Sequence, residues 1–237
     1  MIGTHVYLIG TPGKKWGEIE KAIWLAQQQV KRSYAEEVLA KIEPLKVHFD
    51  IEQYGALSLS ADQYPLFVLR SRHWDDNKLN VLLTGGVHGY ETSGVQGAIR
   101  FLATRARDYT AQFNFVAAPC VSPWGYETIN RWNPNAVDPN RSFQSNSPSE
   151  EAAALMQYLE SNPVDFLVHV DLHETTDSDN EEFRPALAAR DAIKQEIWQI
   201  PDGFYAVGDS GKSEPGFQAA IIKSVEKVTH IAVPDDD

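Results

Sequence analysis

The residues best suited to chemistry in this chain are a histidine and a glutamate three positions apart. His88 and Glu91 follow two glycines, Gly85 and Gly86, which come directly after an apolar run at residues 80–84. This pattern predicts a strand that ends in a tight turn and opens a helix. Side chains at the carboxyl end of a strand project into a crevice, where α/β proteins commonly place their chemistry. At this spacing an imidazole and a carboxylate can converge on one ion, although a polar turn with a capping glutamate is the alternative.

A second polar set lies on a strand predicted at residues 165–173. Alternate residues of a strand share a face, so His169, Asp171 and His173 are expected on one side of it. His173 stands at the carboxyl end of this strand, as His88 does at the end of the strand predicted at residues 80–84. His169 lies deeper, and we expect it to be a hydrogen-bonded core histidine rather than a ligand.

Two imidazoles and one carboxylate are the protein part of a catalytic zinc site that leaves a fourth position for water. Because two strand ends can bring them together, we predict that His88, Glu91 and His173 bind one Zn²⁺ per chain. Zinc lowers the pKa of bound water to about 7 and polarises a carbonyl group. The other histidines have no partner motif and are expected to be structural or exposed: His5, His48, His73 and His230.

Two arginines lie in a sparsely charged, irregular segment at residues 127–148. The chain has a net charge of −12, so Arg131 and Arg141 in such a loop indicate an anionic ligand. A guanidinium can bind a carboxylate through two hydrogen bonds or stabilise an oxyanion. Surface ion pairs are the alternative for either arginine alone.

Three ordered blocks within residues 80–175 resemble the zinc carboxypeptidases of the carboxypeptidase A-like family (M14). The blocks are His88-Gly-Tyr-Glu91, then Pro123-Trp-Gly-Tyr-Glu followed by Arg131 and Asp138-Pro-Asn140-Arg141-Ser-Phe, and then His173. The stretch Asp171-Leu-His-Glu is also similar to the aspartoacylase and succinylglutamate desuccinylase group, which cleaves N-acyl amino acids with a similar zinc site.

The resemblance implies a role for each polar residue of the irregular segment. Arg131 would polarise the scissile carbonyl and stabilise its oxyanion. Asn140 and Arg141 would hold the terminal carboxylate of the substrate. Asp138 would accept a hydrogen bond from the free ring nitrogen of His88 and so orient that ligand.

One part of the family pattern has no counterpart in the chain. The family has a glutamate general base on a late strand, and no convincing match follows His173. The glutamates considered for this role are Glu174, Glu181, Glu182, Glu214 and Glu226. We therefore leave the base unassigned. We expect residues 1–237 to form a single metallocarboxypeptidase-like domain that lacks its C-terminal strand and helix.

Composition predicts one soluble cytoplasmic α/β domain. The chain has 237 residues, of which 43% are hydrophobic, enough for one sizeable core. Its single cysteine, Cys120, allows no intrachain disulfide and suits a reducing compartment. No signal-peptide pattern or membrane-length apolar run is present. The acidic charge argues against nucleic acid or a membrane as the main partner.

The element order predicts a mixed, largely parallel central sheet flanked by helices, because strands and helices alternate from residue 80 onward. Strands are predicted at residues 4–10, 47–59 (with a bulge at Gly55), 66–70, 80–84, 113–121, 165–173, 204–207 and 229–233. Helices are predicted at residues 16–42, 93–107, 149–159, 185–198 and 218–228. The first two strands of the sheet, at 47–59 and 66–70, should form an antiparallel pair.

Three functions follow from these observations. The first is a zinc carboxypeptidase that removes a C-terminal amino acid from a peptide. The second is a zinc amidohydrolase of small N-acyl amino acids. The third is a metal- or peptide-binding module without a working base. The first two require a substrate with a free carboxylate; the oligomeric state is not predicted.

Overall fold

The computed structural model describes residues 7–233. His5 and the first half of the strand predicted at residues 4–10 lie outside the described residues. Residues 7–10 are in no strand.

A five-stranded mixed sheet forms the centre of the fold. Its strands are β1 (Phe49–Ala56), β2 (Pro65–Ser71), β3 (Leu79–Gly85), β4 (Phe113–Ala118) and β5 (Phe166–Leu172). Their order in the sheet is β1-β2-β4-β3-β5. The strands β1 and β2 pair antiparallel with a register shift between Gln53 and Gly55, which confirms both the hairpin and its bulge.

The direction of pairing changes in the middle of this sheet. Strand β2 pairs antiparallel with β4, whereas β3 pairs parallel with both β4 and β5. The predicted mixed sheet is therefore confirmed, and its parallel part is formed by the strands from residue 79 onward. Since β3 and β5 are parallel neighbours, their carboxyl ends lie at the same edge of the sheet.

Seven α-helices accompany the strands in the described part of the chain. They are α1 (Glu18–Gln27), α2 (Ala40–Ile42), α3 (Thr92–Thr104), α4 (Pro123–Thr128), α5 (Glu150–Ser161), α6 (Arg184–Asp191) and α7 (Pro215–Val225). Short turns of π- or 3₁₀-helix occur at Ala35–Leu39, Glu43–Val47, Ala106–Tyr109, Pro139–Arg141 and Asp179–Phe183. Ser149 caps α5 by accepting a hydrogen bond from the Ala152 backbone amide at 3.3 Å.

Two helices cover opposite faces of the sheet. On one face, Val95 and Ile99 of α3 pack in a buried cluster with Leu83 of β3. On the other face, Leu82 of β3 belongs to a cluster against which Leu159 of α5 packs. A strand buried on both faces reads as a continuous apolar run, which explains the pattern before the glycines.

Four further element predictions need correction. The segment 16–42 is not one helix, because the backbone becomes extended at Gln28 (ψ 143°) and helical turns resume only at Ala35–Leu39 and Ala40–Ile42. No helix was predicted at α4, because its proline and glycine are turn signals. Helix α6 stops well before residue 198, since Ala192 takes a left-handed conformation (φ 55°) that cannot continue a helix. The late strands reduce to one bridge between Phe204 and Ile231, and Val207, 84% exposed, has little apolar burial to stabilise a strand.

The described chain divides into two compact units. The larger comprises residues 7–174 and 189–192 and contains the whole sheet. The smaller comprises residues 175–188 and 193–233 and contains α7 and the single bridge. Within residues 7–233, no helix combines the length and apolar character needed to cross a membrane.

Candidate metal centre

The turn after β3 places a histidine and a glutamate in the protein interior. Gly86 has a φ of +60°, and a Cβ there would lie 2.5 Å from a side-chain carbon of Val95, so the turn requires glycine. His88 follows, and Glu91 occupies the N-cap position of α3. Both side chains are only 2% exposed.

Glu91 joins the two histidines predicted as its fellow ligands. Its Oε1 lies 2.7 Å from Nδ1 of His88, and its Oε2 lies 2.7 Å from Nδ1 of His173. The two imidazole centroids are 5.2 Å apart. One donor atom from each of the three residues lies within 4.8 Å of the others. The donor set of two imidazoles and one carboxylate therefore fits a single small metal ion.

Each histidine turns its other ring nitrogen toward an aspartate. Nε2 of His88 lies 3.0 Å from Oδ1 of Asp138, and Nε2 of His173 lies 2.5 Å from Oδ2 of Asp171. Carboxylates in these positions fix the ring orientation and leave both Nδ1 atoms facing Glu91.

The charges at this centre are strongly coupled. Burial disfavours the imidazolium of His173, but hydrogen bonds to Asp171 and Glu91 outweigh it and raise the pKa of His173 to about 10. Burial likewise opposes ionisation of Glu91, yet its hydrogen bonds to His173 and His88 hold its pKa below the usual value. Hydrogen bonds to the two histidines thus help to keep this buried carboxylate ionised.

Arg131 reaches the centre through the aspartate behind His88. Its Nε donates to Oδ2 of Asp138 at 3.3 Å, and its terminal nitrogen lies 3.4 Å from the hydroxyl of Tyr90. Burial opposes ionisation of Asp138, but His88 and Arg131 hold the pKa of that carboxyl well below its usual range. One carboxylate therefore joins the guanidinium to the imidazole.

Asn140 and Arg141 belong to the short turn that begins after the same aspartate. Oδ1 of Asp138 also accepts a hydrogen bond from the Asn140 backbone amide at 2.9 Å. Arg141 is exposed, and its guanidinium donates to the Asn140 carbonyl at 3.2 Å. Asp138 thus fixes the turn that presents both residues.

The remaining sequence expectations have mixed outcomes. His169 is hydrogen-bonded, with Nε2 2.8 Å from Thr84 Oγ1, but it is exposed; the expectation of a core position is wrong because β5 is an edge strand. His48 and His73 are exposed, and His230 is exposed beside Asp202.

The glutamates considered as a base are accounted for one by one, and none is assigned that role. Glu174 lies just beyond the end of β5, and its Oε2 accepts a hydrogen bond from the Ser93 backbone amide at 3.0 Å. Glu181 and Glu182 are in the π-helical turn Asp179–Phe183. Glu214 and Glu226 flank α7.

Sequence reasoning placed Asp171 on the same strand face as His173 but gave it no role, and it missed a second support of this centre altogether. Arg32 gave no signal: it donates to the Gly89 carbonyl at 3.0 Å, contacts Thr92 and packs its guanidinium 3.5 Å from the ring centroid of Tyr126. Nothing local in the sequence connects a residue at position 32 with a turn at position 89.

A family model for the succinylglutamate desuccinylase/aspartoacylase catalytic domain matches residues 77–201. The chain belongs to this family. The matched segment contains β3, β4 and β5 together with every residue of the candidate centre. A search of curated proteins gave no match.

Solved structures share the fold of this desuccinylase/aspartoacylase-family chain. A protein from Shewanella amazonensis SB2B, provisionally described as a metallopeptidase, is 18% identical with a TM-score of 0.63, over 89% of this chain and 77% of that one. Another from Shewanella denitrificans OS217, described in the same way, is 21% identical with a TM-score of 0.50, over 60% of this chain. The chain spans about half the length of the latter, 52%. At these identities the solved structures show a shared fold, and the family assignment rests on the match at residues 77–201.

Proposed function

We propose that this chain is a zinc-dependent hydrolase that cleaves an amide bond in a substrate with a free carboxylate. The observation that carries the proposal is the buried Glu91 carboxylate, whose two oxygens each face the Nδ1 atom of a histidine at 2.7 Å. A purely structural ion pair has no need of two imidazoles whose other nitrogens are both held by aspartates.

The zinc ligands in this proposal are His88, Glu91 and His173. A bound zinc ion supplies a Lewis acid for the substrate carbonyl and an activated water molecule. Asp138 and Asp171 hold the two imidazoles in the orientation that directs Nδ1 inward. The rigid ends of β3 and β5 fix the distance between the ligands.

The arginines act on the substrate. Arg131 is partly buried, with a side chain 17% exposed, and its guanidinium is anchored by Asp138. A donor held in this way can stabilise the negative charge that develops on the carbonyl oxygen. Arg141 is exposed beside Asn140, and together they can bind the substrate carboxylate.

Two substrate classes satisfy this arrangement. One is a peptide, from which the C-terminal amino acid would be removed. The other is a small N-acyl amino acid, and membership of the desuccinylase/aspartoacylase family favours it. Loss of a general base commonly lowers the rate by about 10²–10⁴-fold, so slow turnover or a binding-only module is the third outcome to test.

The test is a substrate panel assayed with zinc-loaded protein. It contains N-acetyl and N-succinyl amino acids, free peptides and the same peptides with amidated C-termini. Release of amino acid from the first group supports the N-acyl amino acid class, and cleavage of free but not amidated peptides supports a carboxypeptidase. Stoichiometric zinc binding without turnover of any compound, under conditions where His88→Ala abolishes binding, would contradict the proposed hydrolysis.

A further inference from the structure

A continuous chain of side-chain hydrogen bonds lies behind His173. Oδ2 of Asp171 faces Nε2 of His173 at 2.5 Å, and Oδ1 accepts a hydrogen bond from Thr84 Oγ1 at 2.6 Å. The same hydroxyl oxygen lies 2.8 Å from Nε2 of His169. Thr84 and Asp171 are direct partners in the parallel register of β3 and β5. The chain therefore ties together the two strands that lead to the proposed ligands.

The hydrogen atoms in this chain can be placed by counting donors. A threonine hydroxyl has one proton, which Thr84 donates to Asp171. The hydroxyl oxygen must then accept from His169, so Nε2 of His169 carries a hydrogen. An ionised aspartate only accepts, so Nε2 of His173 carries a hydrogen as well. With Nε2 held by Asp171, Nδ1 on the Glu91 side is the nitrogen at which a metal would replace a hydrogen.

His173 needs this support more than His88 does. The side chains of His88 and Asp138 are 2% and 11% exposed, so close packing helps to hold that ring. The side chains of His173 and Asp171 are 31% and 26% exposed. With less packing around it, the ring of His173 depends on hydrogen bonds for its orientation.

We propose that Asp171 is a positioning residue for His173 and that Thr84 and His169 hold Asp171 in place. Together, these hydrogen bonds set the metal affinity of the site. The proposal rests on the proposed function only in taking His173 as a metal ligand. It requires no particular substrate and no turnover.

The first test is zinc affinity, measured by competition with a chelator. Asp171→Asn should bind zinc about 10–100-fold more weakly than the wild type, the loss typical when a hydrogen-bonding partner of a ligand is removed. Thr84→Val should weaken binding in the same direction by less, and Thr84→Ser, which keeps the hydroxyl, should restore it. The matched control is Asp165→Asn, which removes the same charge from an exposed residue just before β5.

The second readout is the imidazole nitrogen spectrum of the zinc-loaded protein. In the wild type, the His173 ring should show a protonated Nε2 and a metal-bound Nδ1. In Asp171→Asn, the Nε2 proton should exchange faster with solvent. A role limited to general stability would leave this signal unchanged.

Each outcome decides one of the two proposals. If Asp171→Asn binds zinc as tightly as Asp165→Asn, the positioning role is wrong, whatever the substrate panel shows. If the affinities follow the predicted order but no substrate is turned over, the positioning role stands and the hydrolysis fails. Should Asp171→Asn not fold, the difference between Thr84→Val and Thr84→Ser decides: equal affinities overturn the proposal, and tighter binding by the serine variant supports it.

Discussion

At the scale of single residues, ring orientation decides what the histidines can do. The residue types and spacing predicted that His88, Glu91 and His173 would meet, and they do meet, with donor atoms within 4.8 Å of one another. The inward direction of both Nδ1 atoms was predictable only in part. It depends on Asp138 and Asp171, which lie on different segments of the chain.

Arg131 should contribute to the chemical step rather than to metal binding. Arg131→Gln is expected to lower kcat by about 10²–10³-fold at saturating zinc, because a preorganised donor to the oxyanion is lost. Steady-state kinetics on the best substrate of the panel measures this. The matched control is Arg107→Gln, whose side chain is 70% exposed, and it should retain the wild-type kcat. An Arg131→Gln enzyme with undiminished kcat would remove this residue from the mechanism.

Arg141 should determine the requirement for a free carboxylate. Replacement by methionine removes a charge-assisted hydrogen bond worth about 1.5–3 kcal/mol, so KM should rise roughly tenfold or more. The preference for free over amidated substrates should fall with it. Arg72→Met removes an exposed arginine that pairs with Asp50 and should alter neither quantity. Equal selectivity in Arg141→Met and the wild type would mean that the carboxylate binds elsewhere.

At the scale of elements, the turn between β3 and α3 is held against α4 by close backbone contact. A Cβ on Gly89 would lie 2.1 Å from the Tyr126 backbone nitrogen. Gly89 was evident in the sequence, but its contact partner was not, because no helix was predicted at α4. The same limit explains Arg32, whose hydrogen bond to the Gly89 carbonyl spans 57 positions.

Gly89→Ala should therefore disturb both stability and the metal centre. We expect the free energy of unfolding to fall by about 1–3 kcal/mol, the usual cost of overpacking, because the Cβ meets backbone atoms, which cannot rotate away as a flexible side chain can. Urea unfolding of the metal-free protein measures it. Gly216→Ala is the control: a Cβ there meets nothing within 4 Å in α7, so it should be neutral or stabilise by up to about 1 kcal/mol. Equal stability of the two variants would show that the turn can move away from α4.

At the scale of the whole molecule, the larger unit contains the sheet and every proposed ligand. Its five strands and the hairpin at its start follow from apolar runs and turn signals, which is why they could be predicted, whereas their order in the sheet was not predicted. The late segment could not be predicted in the same way. Residues such as Val207 and Val233 are 84% and 86% exposed, so the apolar pattern there does not report burial in a sheet.

The proposed zinc-binding residues come from two segments of the larger unit. Zinc should therefore bind only the folded protein and stabilise it against unfolding. At a free zinc concentration 100 times Kd, the free energy of unfolding should rise by about 2.7 kcal/mol. Thermal or urea unfolding with and without zinc provides the measurement. His173→Ala should abolish the increase, whereas His73→Ala, at an exposed position, should retain it. A similar increase in His173→Ala would place the stabilising ion elsewhere.

The central claim is that one zinc ion binds between His88, Glu91 and His173. Anomalous diffraction from zinc-loaded crystals, recorded on both sides of the zinc absorption edge, tests it most directly. The account predicts one strong peak per chain, about 2.0–2.2 Å from Nδ1 of each histidine and from a carboxylate oxygen of Glu91. A peak bound by other residues, or no peak between these three side chains in crystals soaked well above the measured Kd, would contradict it.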